Sequence, residues 1–72
     1  MSTEVKLREL VEQHIEVLGR DEPLQLKSLE LVMLVESIEE AFGLRVKAAD
    51  VVPANFGTLG RMIDFVDRSR MA

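Results

Sequence analysis

Apolar and polar positions along this chain repeat with helical spacing. From residue 3 to about 18, Leu7, Leu10, Val11, His14, Ile15 and Leu18 recur every three or four positions and form one stripe. Ser2 or Thr3 can cap the start and Gly19 can end the run, which predicts a first helix over about 3–18. His14 lies on the stripe and reads as a structural side chain. Residues 19–27 follow as a loop. Pro23 breaks helical hydrogen bonding there, and Leu24 and Leu26 are expected to fold back onto the core.

The most regular stretch comes next. With about 100° of turn per residue, Leu31, Leu34, Val35, Ile38 and Phe42 share a face, which must be the core side. Leu29, Glu30, Met33, Glu36, Ser37 and Glu40 share the opposite face, flanked by Val32 and Glu39. Ser28 begins this second helix, predicted over about 28–42, and Gly43 is a natural stop. The outward face is therefore not simply polar. It mixes carboxylates with Leu29, Val32 and Met33.

Leu44 and Val46 read as a short extended piece. Residues 48–52 are predicted as a short helix closed by Pro53, which biases Val52 away from helical angles. Thr58 caps a last helix to about residue 68, with Leu59, Met62, Ile63 and Val66 facing inward and the tail from Ser69 fraying. Val46 joins the expected core. Three main helices plus one short helix, with no β pattern, predict an all-α fold: a small four-helix bundle in a single domain spanning 1–72.

Composition narrows the functions. At 72 residues, a chain buries only about 60% of the surface it exposes when unfolded, so little volume remains for a water-free pocket. There is no cysteine and one histidine, and no metal site or serine–histidine–carboxylate arrangement can be placed. No enzyme activity is expected. Thirteen acidic against nine basic residues give a net charge of −4, which argues against nucleic acid and suits partners with basic patches. No apolar run is long enough to enter a membrane as a span, and the charged start is unlike a leader, so a cytoplasmic monomer is expected.

Two features leave alternatives open. Ser28 is either a plain N-cap, the reading that periodicity favours, or an attachment point. A hydroxyl at a helix start is exposed, and the free backbone N–H groups there suit a phosphate. The glutamates of the second helix are either a solvated face or a docking surface.

The stretch Ser28-Leu29-Glu30-Leu31-Val32-Met33-Leu34-Val35-Glu36-Ser37-Ile38-Glu39-Glu40-Ala41-Phe42-Gly43 resembles the signature of the acyl carrier protein family. There a serine followed by leucine opens an acidic helix that ends in Glu-Glu-x-Phe-Gly. The likeness continues through Val46, "DVVPANF" at 50–56 and Thr58-Leu59. Three departures stand out: Lys27 where the family usually has aspartate, Met33 where many members have an acid, and a loop at 19–27 that is short for the family. The resemblance implies a carrier with 4′-phosphopantetheine, taken from coenzyme A, on Ser28. Its thiol would hold an acyl or aminoacyl group as a thioester, within fatty acid, polyketide or nonribosomal peptide biosynthesis. Lys27 and the loop lean toward a specialised pathway. The implied partners are a phosphopantetheinyl transferase and the enzymes that load and process the cargo. They would meet Leu29, Glu30, Val32, Met33, Glu36, Glu39 and Glu40. The alternative is a non-carrying interaction module of the same fold.

Overall fold

In the computed structural model, which describes residues 2–71, the chain forms α1 (Thr3–Glu12), α2 (Ser28–Phe42), a 3-10 turn (Ala48–Asp50), α3 (Pro53–Phe56) and α4 (Leu59–Met71). Among the described residues there is no strand. The result is a small all-helical bundle, with α1 packed against α2 and α4, and α3 against α4. Its radius of gyration, 10.9 Å, matches the ~11 Å expected of a compact chain of this length.

The middle helix obeys its pattern. Leu34 and Ile38 are fully buried, and Leu31, Val35 and Phe42 pack half-buried against them. Gly43 ends the helix in the left-handed conformation, φ 63° and ψ 39°, with its N–H bonded to the Glu39 carbonyl. A side chain there would strain the backbone, so the stop is encoded in one residue.

Three expectations are corrected. The first helix ends at Glu12, not near residue 18. His14 and Ile15 N–H groups both turn back to the Val11 carbonyl, at 2.9 and 3.1 Å, and the chain then runs non-helically. On a continued helix Leu18 would lie in the apolar stripe and Val17 beside it. In the structure Val17 is 8% exposed and Leu18 76% exposed. Neighbouring side chains of a non-helical chain can point opposite ways, and the core takes Val17. Two β-branched residues, Ile15 and Val17, weaken the helical alternative. The connection to α2 thus spans 13–27 and is not short. It is tied down by Arg20, whose carbonyl accepts the Gly60 N–H at 2.9 Å, and by Leu24, whose N–H reaches the Gly57 carbonyl at 2.8 Å. Arg20 also pairs with Glu4 at 3.2 Å.

Second, Pro53 opens a helix rather than closing one. The 3-10 turn covers only Ala48–Asp50, and Val52, at φ −133° and ψ 159°, caps α3 with Pro53 in its first turn. Proline lacks only the N–H that a first-turn residue has no partner for. Third, the last helix continues to Met71. Thr58 does cap it, its hydroxyl oxygen accepting the Arg61 N–H at 3.1 Å.

The core also takes two phenylalanines outside the expected set. Phe56 and Phe65 are buried, with ring centres 5.3 Å apart and planes tilted by 52°. Phe65 lies off the Leu59–Met62–Ile63–Val66 face. It is buried because α4 is covered on two sides, by α1 and by α3.

Candidate functional site

The candidate site is the amino end of α2 and the outward face that runs from it. Lys27 is extended, φ −74° and ψ 159°, and is the N-cap; Ser28 is the first helical residue. The first backbone bond of the helix is Leu31 N–H to the Lys27 carbonyl, 2.8 Å. The N–H groups of Ser28, Leu29 and Glu30 thus precede the helical ladder. A lysine ammonium has no acceptor, so it cannot cap them. Only half of a capping box is made: Glu30 Oε1 accepts the Lys27 N–H at 3.0 Å.

Ser28 is therefore not the N-cap. Its residue is exposed, and its hydroxyl makes no hydrogen bond to another described residue. Ser2, by contrast, caps α1 by accepting the Val5 N–H at 3.2 Å, and Ser37 donates to the Met33 carbonyl at 3.1 Å. Between Arg20 and Arg45 the only basic residue is Lys27, also exposed.

The same arrangement makes a stability prediction. Lys27→Asp supplies the missing acceptor, completes the capping box and exchanges a cation for an anion at a helix start. It should stabilise the domain by about 1 kcal/mol, a rise in melting temperature of roughly 4–8 °C. Thermal unfolding followed by circular dichroism measures it; a lower melting temperature would refute the capping argument.

From Ser28 the outward face carries Leu29, Val32 and Met33, which are 71%, 54% and 48% exposed, and then Glu36 and Glu40, also exposed. Leu29 to Glu40 covers about 16 Å at ~1.5 Å of rise per residue. The remaining two expected contact residues sit differently. Glu30 is half-buried and braces the cap. Glu39 is half-buried and its Oε2 accepts the Val46 N–H at 2.9 Å, holding the chain after Gly43 against the helix. Both have local structural work that periodicity does not show, because the partner in each case is a backbone amide outside the helix.

One turn in from Ser28, Leu31 lines an apolar cleft of about 190 Å³ with Leu24, Leu26, Val51 and Phe56. Apolar cavities of ~150 Å³ accept a benzene-sized group, so this cleft matches a short apolar group. The sequence showed Leu24 and Leu26 folding back. It did not show the cleft, whose far wall is the turn before α3. His14 is half-buried just beyond α1. Among the described residues no helix is long and apolar enough to cross a membrane, and no cluster of His, Asp and Glu could hold a metal ion.

No protein-family model matches this chain, and no curated protein or solved structure does either.

Proposed function

We propose that this protein is a discrete carrier that bears 4′-phosphopantetheine on Ser28 and presents a tethered acyl or aminoacyl group to partner enzymes. The observation that carries the reading is the exposed, uncommitted hydroxyl of Ser28 at the first position of α2, next to an exposed apolar and acidic stripe. The signature-like sequence of α2 supports it. The group would supply a terminal thiol on which the cargo is held as a thioester.

The residues present fit such a group. Ser28 Oγ is free to be esterified. The unpaired first-turn N–H groups favour an anionic phosphodiester. The Lys27 ammonium adds a positive charge where the remainder of the second helix is acidic. Leu29, Val32 and Met33 offer dry contact to a partner, and Glu36 and Glu40 steer one with a basic patch. The bond-making chemistry belongs to the partners. Incubation with coenzyme A and a broad-specificity phosphopantetheinyl transferase, followed by intact mass measurement, should show one added arm. No addition with any transferase would leave a non-carrying interaction module as the better account.

The same assay tests the docking face. Glu36→Lys with Glu40→Lys should lower the transferase's kcat/KM by roughly 10–100-fold, mainly through slower association, and flatten its salt dependence. The far-UV spectrum should not change, since both carboxylates are exposed and make no hydrogen bond or ion pair with another described residue. Unchanged kinetics and salt slope would remove α2 as the docking face for that enzyme.

A further inference from the structure

The opposite end of α2 differs in charge from the rest of this acidic protein. Two adjoining clefts of about 400 and 380 Å³ meet there at Phe42 and Arg70. Lys6 lines the first; Leu44, Arg45 and Ser69 line the second. Three cations from α1, α4 and the segment after α2 line the two clefts around Phe42, and among the described residues no carboxylate lines either one. In a chain with 13 acidic and 9 basic residues, two clefts whose described charged lining is all of the minority sign call for an explanation; the carboxylate at their edge, Asp67, accepts from the Thr3 hydroxyl at 3.0 Å. Elsewhere Arg61 and Arg68 share their clefts with Asp64 and Asp67.

Two of the cations are held in place. Lys6 Nζ donates to the Ala41 carbonyl at 2.8 Å and lies 5.2 Å from the centre of the Phe42 ring. It thereby meets the carboxyl end of α2, which has no basic residue in its own last turn. Arg70 donates to Thr3 Oγ1 at 3.3 Å, and its guanidinium carbon lies 5.7 Å from the same ring. Arg45 is exposed and pairs with no other described residue. The described contacts therefore account for Lys6 and Arg70 and include none for the Arg45 guanidinium.

We infer that this basic end of the bundle is a docking surface for a short acidic segment of a partner protein, with two or three carboxylates around an apolar side chain. The carboxylates match the guanidinium forks of Arg45 and Arg70. The apolar side chain meets Phe42 and Leu44. Because Lys6 and Arg70 are already ordered, little freedom is lost on binding. A long polyanion or an anionic membrane fits poorly, since it would also meet the net charge of −4. The surface lies about 20 Å along α2 from Ser28, at ~1.5 Å per residue, and the inference does not depend on what Ser28 carries.

The test titrates the ¹⁵N-labelled full chain with a capped peptide, Glu-Glu-Leu-Glu, followed by NMR. Shifts should centre on Lys6, Phe42, Leu44, Arg45 and Arg70. Arg45→Glu should weaken binding about tenfold, and Arg45→Gln less in the same direction. Lys47→Glu makes the same change in net charge at an exposed residue outside both linings, and should change affinity little. The inference is overturned if no shifts appear, if they map to the outward face of α2, or if Arg45→Glu and Lys47→Glu weaken binding equally. Tighter binding of an oligothymidylate than of the peptide also overturns it.

Discussion

Ser28→Ala should give a protein that folds as before and gains no arm. The chemical half follows from the proposed ester, since alanine has no oxygen to form it. The folding half follows from the structure. The hydroxyl caps nothing, and the residue is exposed at the first position of the helix, so no buried partner is orphaned. Alanine is also the better helix former by roughly 0.5 kcal/mol. The melting temperature should hold or rise slightly. Had Ser28 been the N-cap, the same change would cost about 1 kcal/mol. Intact mass and thermal melts on one preparation therefore separate the two readings of this residue. An arm that still appears on the alanine variant would move the attachment point elsewhere. Ser2 and Ser37 are poor substitutes, because each already holds a backbone hydrogen bond.

The sequence was most legible where a residue's fate depends on its own helix. Residues 28–42 carry an unbroken apolar face and end at a glycine that alone can take the left-handed turn, so both boundaries of α2 could be read directly. The end of α1 could not be. Its stripe continues through Ile15 and Leu18, and only the rest of the core decides that Val17 goes in. Pro53 was ambiguous for a similar reason. A proline forbids a helix interior but permits a helix start, and the packing of the next few residues decides between the two. Phe56 and Phe65 needed knowledge of which helices flank α4. At the candidate site, the exposed stripe was visible in the helical periodicity. The division of the glutamates into Glu36 and Glu40, which bond to no other described residue, and Glu30 and Glu39, which hold backbone amides, required the loops on either side of α2.

Leu34→Ala should bring the domain close to unfolding. Leu34 is fully enclosed in the main core cluster. Removing a buried leucine side chain costs roughly 2–5 kcal/mol once the residual cavity is included. A chain of this length has about 4–11 kcal/mol in total, and each kcal/mol moves the melting temperature of a small domain by roughly 4–8 °C. A drop of at least ~8 °C is expected, with a matching fall in the urea midpoint. Leu29→Ala, one and a half turns away on the same helix, removes the same atoms from a largely exposed site and should change stability by no more than about 0.5 kcal/mol. The pair is the informative measurement. If Leu34 costs under ~1 kcal/mol, or Leu29 costs as much as Leu34, the inward and outward faces of α2 are wrongly assigned. If the difference is as large as expected, Leu29 adds little to the fold, and Val32 and Met33 on the same exposed face should behave alike. An apolar stripe that folding does not require is then available for contact with another molecule.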